Sequence, residues 1–114
     1  TNPTSGIRAG IRYMDWVRQR MQHHNLQDDH LIWFTLASYN AGAGHVRDAI
    51  RLAKQKGWRT DVWFNHVERA MLLLSQRKYA AKARYGYVRG QEPVHYVREI
   101  KRRFETYEHV VTDI

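Results

Sequence analysis

The sequence predicts an all-α domain, and three features carry that prediction. Two prolines and seven glycines are the only strong helix breakers in 114 residues. Ala, Leu, Arg, Lys and Gln, which lose little side-chain freedom in a helix, are plentiful. Apolar residues recur at intervals of three and four along most of the chain, the period that brings side chains to one helical face. The length suits one compact domain in which roughly two-thirds of the unfolded surface is buried on folding. No linker, repeat or low-complexity tract divides residues 1–114.

Asn2-Pro3 places a capping side chain ahead of a proline suited to a first helical turn. Ile7, Ile11, Met14, Val17 and Met21 follow at helical spacing, so a first helix is expected from Pro3 to Gln22. His23-His24-Asn25 interrupts the pattern, and Asp28 or Asp29 offers the next cap. Leu31, Ile32, Trp33, Phe34, Leu36, Ala37 and Tyr39 then follow with almost no polar gap, as in a helix enclosed on most sides at the centre of a core. Gly42 and Gly44 permit a helix end or tight turn. A third helix is expected from about His45, with Val46, Ala49, Ile50 and Ala53 inward and Gly57 as its stop. Asp61 can cap a fourth, whose stripe is Trp63, Phe64, Val67, Met71 and Leu74. Ser75 to Gln91 is basic, tyrosine-rich and weakly periodic, which reads as a loop with a short helical turn. Pro93 opens the last helix, on which Val97, Ile100, Phe104, Tyr107 and Val111 repeat.

Nineteen Lys and Arg against eleven Asp and Glu give a formal charge of +8, which favours a polyanionic partner. Nucleic acid, an anionic membrane and the carboxylate-bearing peptides of a bacterial cell wall all satisfy that charge, as does a plain solvated basic surface. The absence of cysteine excludes disulfides, thiolate metal sites and a thiol nucleophile. The longest apolar stretch, Leu31 to Ala37, is too short to span a bilayer, so no membrane segment is expected. The histidines, His23, His24, His30, His45, His66, His95 and His109, lack the spacing of a zinc site, and no metal is expected. No cofactor is expected either, because no Gly-Lys-Ser/Thr follows the glycine turn and no strand precedes it. A Gly-x-Ser-x-Gly elbow is also missing.

Two stretches can carry chemistry. In Ala37-Ser38-Tyr39-Asn40-Ala41-Gly42-Ala43-Gly44-His45-Val46 an apolar helix delivers a phenol and a carboxamide into a glycine turn, where small residues let a ligand reach the backbone. Tyr39 as a core aromatic and Asn40 as a C-terminal cap explain the same residues. In Tyr85-Gly86-Tyr87-Val88-Arg89-Gly90-Gln91-Glu92-Pro93-Val94-His95-Tyr96-Val97, aromatic faces can stack on sugar rings while Arg89, Gln91 and Glu92 bond hydroxyls or acetamides. Equally, Glu92 can be favoured by the positive end of the last helix while Tyr96 packs upon it.

Taken in order, these segments resemble the soluble lytic transglycosylase catalytic domain. Asn2-Pro3 with Ile7-Arg8-Ala9-Gly10-Ile11-Arg12-Tyr13-Met14 is similar to the family's opening helix, and Tyr39-Asn40-Ala41-Gly42 to its A-Y-N-A-G motif, continued as Gly44-His45-Val46-Arg47-Asp48-Ala49. Trp63-Phe64, Val67 and Met71-Leu72-Leu73-Leu74 resemble the next helix, and Arg89-Gly90-Gln91-Glu92-Pro93-Val94-His95-Tyr96-Val97 the closing R-G-x-E-x-V-x-Y-V motif. The resemblance implies a partial lysozyme-like fold of about five helices with a tyrosine-rich loop, residues 1–114 forming the C-terminal portion of one catalytic domain. It implies a peptidoglycan glycan strand as partner, and cleavage of the β-1,4 bond between N-acetylmuramic acid and N-acetylglucosamine with closure of a 1,6-anhydro ring. One glutamate would protonate the leaving oxygen and then act as base, assisted by the substrate's acetamide. By the same resemblance Tyr39, Asn40, Ala41 and Gly42 line the cleavage subsite, Tyr87, Arg89, Gln91 and Glu92 contact sugar, and Tyr96 binds substrate and supports the catalytic carboxylate. The parent protein is expected in the periplasm, associated with the outer membrane.

The chain departs from the pattern in one respect. The family's Glu-Ser and Gly-Leu-Met-Gln-type motifs belong before the position of Asn2, and this sequence has no Glu-Ser pair; its first glutamate is Glu68. The acid/base glutamate is therefore expected upstream of Thr1, so the chain itself contains no catalytic residue and is expected to be inactive alone, a general acid being worth ~10²–10⁴ in rate. Two other readings compete. One is a basic helical nucleic-acid binder, with Arg84, Arg89, Lys101, Arg102 and Arg103 on phosphates and Tyr85 or Tyr87 stacked on bases. The other is a fragment that self-associates through apolar surface exposed by truncation.

Overall fold

The computed structural model describes residues 10–12, 14–19 and 30–112, with side chains through Thr106. Helical residues 10–12 and 14–19 form α1. They are followed by α2 (Leu31–Ala41), α3 (Ala43–Gln55), a wide turn (Trp63–Val67), α4 (Glu68–Leu73), α5 (Arg77–Ala80) and α6 (Gln91–Thr112). No strand occurs among the described residues, so the all-α expectation holds. The expected ends of the first helix and the break at His23-His24-Asn25 lie outside the described residues.

The core forms around α2 because its sequence leaves almost no polar face. Phe34, Thr35, Leu36, Ala37 and Ser38 are buried in one run, with α3 packed on one side and α6 on another. Full burial of a side chain such as Phe34 is worth about 2–3 kcal/mol. Phe34 meets Trp63 edge-on at 5.5 Å, and Trp33 meets Phe64 at 5.3 Å. From α1, Val17 is fully buried and Met14 packs against the core, whereas Ile11 is exposed. Asp28 and Asp29, the expected caps, lie outside the described residues; the N-cap position of α2 is held by His30, without a side-chain capping bond. Its Nδ1 accepts the backbone N–H of Trp63 at 3.4 Å, tying the start of α2 to the wide turn.

Helix α3 starts at Ala43, two residues before the expected His45, because Gly42 alone makes the corner with φ 101°. Val46, Ala49, Leu52 and Ala53 are buried, and the chain leaves the helix at Gly57. The expected fourth helix is corrected more strongly. Asp61 does not cap it but pairs with Arg59 at 2.8 Å, and the chain from Trp63 to Val67 is irregular. Phe64 is extended and Asn65 is left-handed, a conformation that Asn tolerates through its short polar side chain. This kink lets Trp63 enter the core while Phe64 packs on Trp33, which successive residues of a regular helix would not do. Regular helix resumes at Glu68, whose carboxylate accepts the Asn65 N–H at 3.2 Å.

The tyrosine-rich segment contains one short helix, α5, as the weak periodicity suggests. α6 begins at Gln91, two residues before Pro93, which occupies the first turn where its missing N–H costs nothing. Gly90 lies directly on α4: a Cβ there would collide with the Met71 carbonyl. Along α6, Val97 is buried and Ile100 half-buried, but Phe104 is exposed, contrary to the expected stripe. The reason is length. The 22 residues of α6 span about 33 Å, twice the reach of the 11-residue α2 beneath it. Tyr107 and Val111 have side chains outside the described set. Glu68, buried on α4, accepts Arg98 Nε and Nη2, each at 2.7 Å, and so joins α4 to α6.

Candidate functional site

The Tyr-Asn corner stands where three helices meet. The Gly42 N–H closes α2 on the Ser38 carbonyl at 2.8 Å, and the Gly42 carbonyl accepts the Val46 N–H at 3.3 Å to open α3. Tyr39 and Asn40 are exposed on the last turn of α2, with Ala41 half-buried behind them. The Tyr39 phenol reaches α1, where a Cβ on Gly10 would lie 3.9 Å from its Oη. Tyr96 approaches from α6. Its phenol is pushed above the usual 10.0, first by burial and then by the neighbouring phenol of Tyr39. Tyr39 is thus a half-exposed surface between α1 and α6, which decides between the two sequence readings against a fully packed core aromatic. Two buried polar atoms on this stretch, Ser38 Oγ and His45 Nδ1, have no hydrogen-bond partner among the described residues.

On the α3 side the corner is walled by Tyr85. A Cβ on Gly44 would fall 2.7–2.8 Å from the Tyr85 ring, so only glycine lets the ring lie there. The ring also meets His45 edge-on at 6.5 Å and carries the Arg47 guanidinium at 5.9 Å. Asp48, one turn further along α3, holds this arrangement. Its buried carboxylate accepts the Arg84 N–H at 3.2 Å and the Tyr85 N–H at 2.8 Å, and it pairs with Arg51. Asp48 did not stand in the predicted site, and Tyr85, which opens the second chemistry-bearing stretch, was not among the residues assigned to sugar. A signal for Asp48 exists: it is the one acidic residue of α3, among positions that otherwise bury Val46, Ala49, Leu52 and Ala53.

Of the predicted sugar contacts, Glu92 and Tyr96 are four residues apart and share a face of α6. Arg89 pairs with Glu92 at 3.7 Å with both side chains largely exposed, and Gln91 is exposed beside them. Tyr87 goes elsewhere: it borders a cleft with Ser75, Arg77, Ala80 and Ala81 on the α5 side. The structure therefore places Tyr39, Asn40 and Gly42 at one corner, with Tyr96 near enough to feel the Tyr39 phenol, Tyr85 against Gly44 and His45, and Glu92 one turn before Tyr96 on α6. Three His, Asp or Glu side chains do not converge on one point among the described residues.

A helical domain with an exposed Tyr-Asn-Ala-Gly corner under its last helix matches a known class. The family profile of the transglycosylase SLT domain matches residues 1–62, and the chain belongs to that lysozyme-like family. Among individual proteins, the chain is similar to membrane-bound lytic murein transglycosylase F of Shewanella halifaxensis (strain HAW-EB4), with 42% identity over 92% of this chain and 22% of that protein. The protein of the same name from Hahella chejuensis (strain KCTC 2396) is 43% identical over 91% of this chain and 20% of its own length. That of Pasteurella multocida (strain Pm70) is 39% identical over 96% of this chain and 22% of its own. The chain thus spans about a fifth of the length of the curated relatives it matches. The relatives are named membrane-bound, and no helix among the described residues is long and apolar enough to cross a membrane.

Proposed function

We propose that this chain forms the glycan-holding C-terminal portion of a peptidoglycan lytic transglycosylase domain. The observation that carries the reading is the exposed Tyr39-Asn40 pair on the last turn of α2 at the Gly42 corner, with Tyr96 of α6 as an electrostatic neighbour and the Tyr85 ring resting on Gly44. Aromatic faces of this kind suit sugar rings, and the Asn40 carboxamide suits an acetamide. In the reaction so assigned, the β-1,4 bond between N-acetylmuramic acid and N-acetylglucosamine is cleaved as the muramic acid closes a 1,6-anhydro ring. Tyr39 and Asn40, with Ala41 and Gly42, hold the acetamide, Arg89, Gln91 and Glu92 bind sugar along the start of α6, and Tyr96 steadies the acid/base carboxylate.

That carboxylate is assigned to a Glu-Ser motif upstream of Thr1. The described glutamates are engaged otherwise: Glu68 with Arg98 and the Asn65 N–H, Glu92 with Arg89, Glu99 with Arg102, and Glu105 with Lys101. The parent protein is assigned to the periplasm, at the outer membrane.

The test is titration of the 114-residue chain with N-acetylglucosamine oligomers and with peptidoglycan. Saturable binding that Tyr39→Ala weakens, without release of anhydromuropeptides, is the expected result. Indifference of binding to Tyr39→Ala and Tyr96→Ala would sink the groove assignment, and release of anhydro products by the chain alone would sink its inactivity.

A further inference from the structure

Asp48 also borders a second cavity, of about 440 Å³, between α3 and the segment Leu74–Arg84; its walls include Arg51, Leu52, Tyr79, Lys82 and Arg84. Its charge is one-sided. Three cations line it against one carboxylate, and that carboxylate is 1% exposed with its oxygens already taken by the Arg84 and Tyr85 N–H groups and by Arg51. The Lys82 side chain has no ion pair or hydrogen bond among the described residues, and the one contact of the Arg84 guanidinium among them is with the Tyr85 ring, at 5.8 Å. More positive charge stands at Tyr79, where Lys56 donates to the phenol at 2.8 Å and Lys78 lies 5.3 Å from the ring. The Tyr79 phenol is correspondingly held below its ordinary value, chiefly by the Lys56 hydrogen bond. Cations gathered in a concave wall repel one another until an anion joins them, and a cleft of this size accepts a small ligand.

We propose that this cleft is a second binding site, taking the carboxylates of a short acidic peptide of the kind borne on peptidoglycan strands. Guanidinium and ammonium groups bind carboxylates through charge-assisted hydrogen bonds, and the leucine and tyrosine walls suit the peptide's carbon skeleton. The identity of the peptide rests on the glycan reading above; the anion preference rests on the cleft itself. The two sites share a wall, since Asp48 lines the cleft and holds Tyr85 at the corner.

The experiment is an NMR titration of the whole chain with three probes: triglutamate, an N-acetylglucosamine tetramer and inorganic sulfate. Triglutamate is expected to saturate, shifting the amides of Lys82, Ala83 and Arg84, with sulfate much weaker. Lys82→Glu should weaken triglutamate roughly ten-fold or more and Lys82→Gln less, with saccharide affinity unchanged in both. Because the Lys82 side chain is exposed and unpaired, both variants should fold. Triglutamate shifts that map elsewhere, indifference to Lys82→Glu, or equal binding of sulfate would each overturn the proposal. Loss of saccharide binding with the triglutamate response intact would instead count against the glycan reading and leave the acidic-peptide site standing.

Discussion

The backbone N–H of Tyr85 donates to the buried carboxylate of Asp48 at 2.8 Å, a bond that spans 37 residues of chain. With the adjacent Arg84 N–H on the other oxygen, it anchors a segment that has little regular structure of its own. One α3 side chain therefore decides where the tyrosine-rich segment meets the Tyr-Asn corner.

Asp48→Ala removes the acceptor for two backbone N–H groups and the partner of Arg51. The expected loss of stability is about 2–4 kcal/mol, the scale for stranding buried donors. Asp48→Asn, which keeps one oxygen, should lose about half as much. Denaturant unfolding gives the energies, and hydrogen exchange at the Arg84 and Tyr85 amides gives the location. Unchanged protection at both amides in Asp48→Ala would refute the anchoring role.

Gly44 and Tyr85 should be coupled with a change of sign. Gly44→Ala pushes a methyl into the Tyr85 ring and should cost about 1–3 kcal/mol. In a Tyr85→Ala background that obstacle is gone, and the same substitution should become neutral or stabilise by up to ~1 kcal/mol through helix propensity. A double-mutant cycle measures this, and additive effects would mean that the ring does not rest on Gly44 in solution.

The Glu68–Arg98 pair should respond asymmetrically to its two partners. Removing Arg98 strands a carboxylate that is 7% exposed, whereas Glu68→Gln leaves a guanidinium that is 40% exposed and can hydrate. Arg98→Met should therefore cost about 3 kcal/mol and Glu68→Gln only about 1 kcal/mol. Arg98→Met also removes the cation 4.6 Å from the Phe64 ring. Equal costs, or the reverse order in thermal unfolding, would contradict this account.

Alkaline titration should separate the tyrosines. Tyr79 is expected to ionise below the ordinary phenol range, because Lys56 donates to its phenol, and Tyr96 above it, because it is partly buried beside Tyr39. A phenol whose pKa is raised on folding favours the neutral form, so its stabilising contribution is intact below 10.0 and is lost as pH rises through the folded value. Phenolate absorbance should lose an early component in Tyr79→Phe and a late one in Tyr96→Phe. The opposite assignment would place the charges wrongly.

Much of this molecule was legible from local pattern. Helical class, the enclosed centre of α2 and the stop at Gly57 follow from propensity, from the three-to-four period and from glycine, all set by residues within a turn or two of each other, whereas the sequence left Tyr39 open between a core aromatic and an exposed corner residue. The kink at Trp63–Val67 was not legible, because Trp63, Phe64 and Val67 fit a helical stripe equally well until Phe34 and Trp33 require the two aromatics to diverge.

The corner's far wall was still less accessible. Tyr85 and Tyr87 are two residues apart in one loop segment, yet one lies on Gly44 and the other borders the α5 cleft. Bonds between Asp48 and Tyr85 or Glu68 and Arg98 join residues 30 or more positions apart, and no periodicity records such a partner. Local chemistry settles which helices form and which face is apolar; only packing brings distant groups within the 3 Å or so at which a hydrogen bond can choose between them.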